Sequence, residues 1–248
     1  MVSKTKKAPG FDGITAEHVK YGGQKLLAIL TSICNSISKW EDIPTQLKRG
    51  IIIPIPKGTK DTSIQNNNRG ITLVSVIVKI YQKVVLKRHL DWAESLDKTD
   101  DLQGVGQPGC SSTHTAWLLR ETIAASTEQD CSVYVTLLDT TKAFDTVWVQ
   151  GLFHKLFKAN MDCKVWRILH NFYSNFQCSV QIGGILSEWF ESGQGVHQGE
   201  PWSMYLYTKM INKLITTLRD RAIGAKIGHI YSGNPSYADD IAIVTLHK

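Results

Sequence analysis

The sequence is poor in the features that mark exported, membrane-bound or disulfide-stapled proteins. No apolar run approaches the length of a membrane span, no signal-peptide pattern opens the chain, and no Asn-x-Ser/Thr acceptor occurs. Cysteine is sparse: Cys34, Cys110, Cys131, Cys163 and Cys178 are odd in number and widely spaced. There is no Cys-x-x-Cys pair and no histidine at zinc spacing, which argues against a zinc knuckle and for reduced thiols inside the cell. Internal repeats and low-complexity tracts are missing too. The glycine-rich stretch Gly104–Gly109 has no following Gly-Lys-Ser/Thr, which argues against a P-loop.

What is present is an ordinary globular composition with a basic tilt. The 248 residues are 42% apolar and 20% charged, enough for one large domain or two closely packed lobes. A net charge of +6 and a pI near 9.0 suit a protein that meets polyanions, and equally suit surplus surface lysine.

Helical and strand patterns alternate along the chain. A basic tail, Lys4–Lys7, precedes a turn at Pro9–Gly13. Leu26, Leu27, Leu30, Ile33, Ile37 and Trp40 recur at helical spacing before Pro44. Ile51–Lys57 is β-branched but carries Pro54 and Pro56, which predicts an edge strand, and a polar loop follows with Lys57, Lys60 and Arg69. Ser75–Leu90 predicts a helix with Ile77, Ile80, Tyr81 and Val84 inward and Lys79, Lys83, Lys87 and Arg88 outward. Ser111 or Ser112 is placed to cap a helix through about Ser126. Ser132–Leu138 is nearly all apolar, the pattern of a buried strand delivering Asp139 at its end. Two helical patterns around Leu152–Phe157 and Val165–Phe172 lead to the strongest hairpin signal, Cys178–Ile182, Gly183-Gly184 and Ile185–Phe190. Pro201 then opens a helix carrying Leu206, Met210, Leu214 and Leu218. The mix predicts an α+β protein, with helices packed on a small antiparallel sheet.

One stretch stands out. Tyr237-Ala238-Asp239-Asp240 sets two carboxylates inside a run that is otherwise apolar and β-branched. Burying an ionised carboxylate costs several kcal/mol unless a cation or hydrogen-bond donors meet it. Either a metal meets this pair, or the pair sits at the tip of a tight hairpin. Asp139 ends another strand about a hundred residues earlier. A lone aspartate there is ordinarily a turn residue, but two strand-borne carboxylate sites in one sheet can bracket a pair of hard cations. Such ions, roughly 3.5–4 Å apart, can clamp both oxygens of a phosphoryl transfer.

These segments resemble a known family. Thr136–Val147 resembles the first palm motif of reverse transcriptases from retrotransposons without long terminal repeats, the LINE-type elements. Gly195–Ser203 resembles their second palm motif and Tyr237–Asp240 the third, while Lys7–Ile14 and Arg69–Ser75 resemble finger segments. Five segments stand in the family's order. The resemblance implies a right-hand polymerase fold, with fingers over residues 1–130 and an incomplete palm over 131–248. It implies an RNA-directed DNA polymerase in which Asp139, Asp239 and Asp240 hold two Mg²⁺ ions. Phe144 would exclude a ribose 2′-hydroxyl, Gln198 and Gly199 would pack on the incoming nucleotide, and Arg69 and Lys57 would reach its triphosphate. Lys57 fits a solvated loop charge as well. The implied partners are an RNA template, a DNA primer and deoxynucleoside triphosphates, with no membrane and no evident protein partner. The implied location is the nucleus.

Departures from the family pattern carry their own expectations. Asn68 and Gly70 stand where an aromatic and a proline are usual, and Trp202 and Met204 where leucine and proline are. Trp202 adds volume to a loop expected to fit tightly. His197, Gln107 and Cys110 stand at usual arginine positions, each one base transition from a CG-type arginine codon, which suggests a decaying genomic copy. The sequence stops eight residues past Asp240, so the reading is of fingers and most of a palm, with the thumb absent. The alternative is a truncated, inactive remnant that at most binds nucleic acid.

Overall fold

Two prolines shape the larger sheet. The computed structural model describes residues 6–59, 61–93, 99–107, 109–128 and 131–247; the tail cation Lys4 and the loop cation Lys60 lie outside these. In chain order come α1 (Ala16–Tyr21), α2 (Gly23–Trp40), β1 (Arg49–Pro56), β2 (Asn68–Val74) and α3 (Val76–Ala93). Then follow α4 (Ser112–Thr127), β3 (Ser132–Leu138), α5 (Val149–Lys158), α6 (Cys163–Tyr173) and β4 (Gln177–Ile182). The rest is β5 (Ile185–Leu186), β6 (Phe190–Glu191), α7 (Ser203–Asp220), β7 (Lys226–Ile227), β8 (Ile230–Tyr231), β9 (Ser236–Tyr237) and β10 (Asp240–His247). The fold is α+β, as the patterning predicts.

The chain forms two compact units, each from two separate stretches: Met1–Glu94 with Trp148–Ser203, and Ser95–Val147 with Met204–Lys248. A single cut at residue 130 does not describe them. In the first unit the sheet order is β2-β1-β4-β5, with β6 also on β4. β1 is therefore not an edge strand, contrary to what its prolines predict. It pairs antiparallel with β2 along its length, but with β4 only through Arg49–Ile52 and in parallel. The Lys57 N–H donates to the Asn67 carbonyl at 2.9 Å or less (2.8 Å), so alternate N–H groups back along β1 face β2. Pro54 and Pro56 fall on the other parity, where β4 has ended and no ladder bond is lost. The Gly183-Gly184 hairpin forms as expected: both glycines have positive φ (58° and 85°), the twist-matched two-residue turn, and Ile182 pairs with Ile185.

Two helices of this unit bury a stripe offset from the expected one. In α3 the buried positions are Val78, Tyr81, Gln82, Val85 and His89, an i, i+3, i+4, i+7 pattern that leaves Val84 exposed. Two polar residues on that stripe disguise it in the sequence. In α2 Leu30 and Ile37 are buried while Leu27 and Trp40 face out.

The second unit holds the sheet β3-β10-β9, a short β7–β8 hairpin, α4 and most of α7. In α7 Leu206, Tyr207 and Ile215 are buried and Leu214 is exposed, again a shift of one position from the expected face. β3 departs further. It is an edge strand, and Tyr134, Val135, Leu137 and Leu138 are all exposed, Leu137 by 72%. Its apolar, β-branched run reports a preference for pleated backbone, which an edge strand satisfies without burial.

Candidate active site

Register alone brings two of the three carboxylates together. β10 pairs antiparallel with β3 from Ile241 opposite Leu138 to His247 opposite Ser132; Asp240 and Asp139 are the next residues on each side, and the same register continued by one step would set them opposite one another. Asp240 also pairs with Tyr237 on β9, which leaves Ala238-Asp239 as a two-residue turn. The hairpin tip read from the sequence is therefore real, and it places Asp239 beside that pair. Asp139 and Asp240 are exposed and Asp239 is half-buried.

That turn is under strain and is braced. Ala238 has φ +58° and Asp239 does not share the positive sign, an arrangement whose first turn position favours glycine. A β-carbon there costs roughly 1–2 kcal/mol. Gln103, fully buried, takes hold of both backbone groups of Ala238: its Oε1 accepts from the Ala238 N–H at 2.8 Å and its Nε2 donates to the Ala238 carbonyl at 3.1 Å. The flanking backbone is stitched on as well, Ser236 N–H to the Leu102 carbonyl at 2.8 Å and Gly104 N–H to the Ser236 carbonyl at 2.9 Å. At Gly104 a β-carbon would sit 2.5 Å from the Thr115 hydroxyl, so glycine is needed for this approach. Gln107 closes the brace by donating to the Asp100 and Gln103 carbonyls at 3.0 and 2.8 Å. The glycine-rich stretch is thus a clamp on the hairpin.

Phe144 follows Asp139 through a wound turn in which Lys142 takes φ +51° and the Asp145 and Thr146 N–H groups donate to its carbonyl. Its half-buried ring lies against Tyr207 of α7, centroids 4.8 Å apart. Burial pushes the Tyr207 phenol above its ordinary range, the Thr140 hydroxyl pulls the other way, and the charges of Asp239 and Asp240 push it further up. Tyr207 therefore links the Phe144 ring to the carboxylate end of the sheet. Neither Gln103 nor Tyr207 follows from sequence patterning; Tyr207 hides one position from the apolar stripe, and Gln103 lies in an aperiodic loop.

The other four candidates lie in the first unit, Arg69 and Lys57 at the loop end of the β1–β2 ribbon and Gln198 and Gly199 in the 195–203 loop against β2. Arg69 is exposed on β2 opposite Ile55, and the Lys57 ammonium donates to the Asn66 carbonyl at 3.2 Å. The Gln198 carbonyl accepts from the Thr72 N–H at 2.9 Å, which hangs the 195–203 loop on the outer edge of β2. Gly199 (φ +104°) comes so near that a β-carbon would lie 3.2 Å from the Thr72 carbonyl oxygen. The segment at 7–14 docks onto the start of α3, Ser75 donating to Asp12 at 2.6 Å.

Buried chemistry holds the 195–203 loop. The Glu200 carboxylate is sealed from solvent, with Oε1 2.9 Å from His197 Nδ1 and Oε2 accepting from the Tyr173 hydroxyl at 3.3 Å. The His197 ring is sandwiched by Tyr173 and Phe176, at 5.2 and 4.1 Å. Burial first, then the Glu200 charge, drives the Tyr173 phenol well above its usual range. Burial pulls the Lys79 ammonium down, and the Glu200 charge partly offsets that. Trp202 does not crowd a pocket: it is wholly buried, its indole N–H donates to the Gln82 carbonyl at 3.1 Å, and its ring lies 5.5 Å from His89. The volume expected to press on the loop is absorbed by the core.

The donor set at the end of β3–β10 consists of carboxylate oxygens alone, which suits a hard divalent cation. Among the described residues no three His, Cys, Asp or Glu side chains cluster tightly enough to hold an ion by themselves.

Carboxylates at one end of adjacent strands thus stand in the same unit as an aromatic pair, Phe144 from the turn after β3 and Tyr207 from α7. Residues 55–248 match the family described as reverse transcriptase (RNA-dependent DNA polymerase), and the chain belongs to that family. It is 27% identical over 240 residues to the transposon TX1 uncharacterized 149 kDa protein of Xenopus laevis, covering 96% of this chain and 18% of that protein. It is 26% identical to the Pol polyprotein of the type-2 retrotransposable element R2DM of Drosophila melanogaster, covering 95% of this chain and 22% of that one. The chain thus spans about a fifth of the length of these curated relatives. Among solved structures, apo telomerase of Candida tropicalis truncated from its C-terminal domain superposes with a TM-score of 0.54 at 16% identity. That match covers 88% of this chain and 49% of the telomerase chain. The shared feature is the right-hand polymerase fold.

Proposed function

We propose that this chain is the RNA-directed DNA polymerase domain of a LINE-type retrotransposon, extending a DNA primer along an RNA template with deoxynucleoside triphosphates. The observation that supports the reading is the β3–β10 pairing, whose last pair, Ile241 with Leu138, adjoins Asp240 and Asp139, with Asp239 in the neighbouring turn. On this reading Asp139, Asp239 and Asp240 would hold two Mg²⁺ ions together with oxygens of the bound substrate, and the ions would supply Lewis-acid activation of a hydroxyl and neutralisation of phosphate charge. Phe144, braced by Tyr207, presents a flat apolar ring to the sugar and offers no partner to a 2′-hydroxyl. The β1–β2 ribbon belongs to the fingers and the β3-β10-β9 sheet to the palm. Arg69 and Lys57 meet the triphosphate from that ribbon, and the backbone at Gln198–Gly199 packs on the nucleotide. Work on a genomic target implies the nucleus.

The test is primer extension on an RNA template with Mg²⁺, by the chain alone and joined to the downstream sequence of its reading frame, beside Asp139→Ala. Template-dependent extension that vanishes in Asp139→Ala is the expected result. Extension that survives the substitution, or none from either form, overturns the proposal.

A further inference from the structure

The α5–α6 helix pair carries an aromatic groove of about 380 Å³ that the polymerase chemistry above does not use. It is lined by Gln150, Phe153, His154, Phe157, Trp166 and His170, all within the first unit. The groove has a built floor. Trp166 and His170 stack face to face at 4.9 Å and 11°, one turn apart on α6. Phe153 meets both edge-on, at 5.8 and 5.2 Å, and the Trp166 indole N–H is pinned to the Phe153 carbonyl at 2.8 Å. The indole thus cannot swing away without breaking a hydrogen bond. Phe157 stands at 6.1 Å from Trp166 as a side wall and is 58% exposed. Phe153 is buried beneath the groove, while Phe157, His154 and His170 are exposed and Trp166 is half-buried, more aromatic surface than an amphipathic pair of surface helices needs in order to fold.

Charge selects the occupant. Over residues 149–173 the sequence has Lys155, Lys158, Lys164 and Arg167 against Asp162, and of these Arg167 is committed to an ion pair with Glu41, which leaves three lysines. Asp162 is committed to capping α6, accepting from the Val165 N–H at 2.9 Å. No carboxylate lines the groove. An aromatic stack on helices that also carry exposed lysines, Lys158 and Lys164, suits single-stranded nucleic-acid binding, in which bases stack on rings and backbone phosphates meet lysines.

We propose that the α5–α6 groove is a stacking site for one or two unpaired nucleobases of single-stranded RNA or DNA, with Lys158 and Lys164 on the flanking phosphates. Gln150, at the groove's polar end, supplies an amide for a base edge. The site does not depend on the metal-binding carboxylates, so it stands or falls separately from polymerase activity.

The experiment uses the full chain with 12-nucleotide oligouridine and oligodeoxyuridine. Binding is read by fluorescence anisotropy, and contacts by photocrosslinking through 5-iodouracil with mass-spectrometric mapping. Crosslinks on Trp166 or Phe157 are expected. Phe157→Ala, which removes an exposed ring, is expected to weaken binding about tenfold, as loss of one base–aromatic stack does, while Phe157→Tyr restores it. Lys158→Glu is expected to weaken binding and flatten its salt dependence. The RNA and DNA arms report which strand binds better. Asp139→Asn is expected to leave the crosslinks in place even where it abolishes extension. Crosslinks confined to other residues, or a Phe157→Ala affinity within twofold of the parent, overturn the proposal. So does a parent chain that self-associates until Phe157→Ala makes it monomeric, since the groove is then a protein contact.

Discussion

At the scale of single residues, Ala238 shows how the candidate site is held. A residue with a β-carbon occupies a left-handed turn position, and a buried amide from Gln103 fixes both its backbone groups. Ala238→Gly is expected to keep the fold and to stabilise it by up to about 1 kcal/mol in a denaturant melt, relief of strain outweighing added chain entropy. Gln103→Ala is expected to destabilise by about 2–4 kcal/mol, because it strands a buried donor and a buried acceptor on the hairpin. If Gln103→Ala melts like the parent, the brace is not what holds the turn. Cys178 gives a second residue-level expectation. Burial raises its thiol to about 11 from an ordinary value near 9, so the folded state holds this proton more tightly than the unfolded chain. Its contribution to stability is complete below about pH 9 and is lost as pH rises towards 11. Cys178→Val is expected to flatten the fall in stability across that window, measured as unfolding free energy against pH.

Among the elements, the 195–203 loop depends on a pair the sequence shows only as His-x-x-Glu. His197→Ala would leave the Glu200 carboxylate buried with the Tyr173 hydroxyl as its remaining hydrogen-bond partner among those described, at an expected cost of about 3 kcal/mol. Adding Glu200→Ala to that variant is expected to recover part of the loss, a coupling that a double-mutant cycle measures. Additive losses would show that the two side chains act independently. A histidine at a usual arginine position is therefore integrated here, with a carboxylate partner and two aromatic neighbours, whatever its genomic origin.

Much of this scale was legible in advance, and what was not has identifiable causes. The Gly183-Gly184 turn and the Ser111 cap were readable because local backbone chemistry specifies them. The α3 stripe was not, because Gln82 and His89 interrupt its apolar period. The place of β1 was missed because Pro54 and Pro56 exclude a neighbour over half a strand and leave the other half free to pair. Exposure of β3 was invisible because composition reports strand preference and not what covers the strand.

For the whole molecule, the collinear motif segments carried more information than any periodicity. They foretold that Asp139 and Asp239-Asp240 would meet in one sheet, which no spacing rule gives. The same scale supports a functional prediction. Phe144→Val is expected to raise ribonucleotide incorporation relative to deoxynucleotide by about tenfold or more in primer extension, since the ring that denies space to the 2′-hydroxyl is gone. An unchanged ratio would remove Phe144 from sugar selection. The motifs named Arg69, Lys57, Gln198 and Gly199 as candidates, but the Thr72–Gln198 hydrogen bond that hangs the 195–203 loop on β2 was not legible in them.

The division of the chain between two units also sets an order of events. Between Leu138 and Ile241 the polypeptide leaves one unit, contributes Trp148–Ser203 to the other, and returns. Pairing β3 with β10 therefore closes a loop of about a hundred residues, and the length-dependent part of that entropy is about 4 kcal/mol. Ribbon β1–β2 closes a loop of about a dozen, for which the same term is about 2 kcal/mol. During synthesis a nascent chain that has reached Ser203 owns Asp139 but nothing to set across from it. Pulse-labelled hydrogen exchange should find the β1–β2 amides protected before those of β10. The carboxylates of β3 and β10 are then brought together late within this domain, assembled only when distant parts of the chain have already committed to their places.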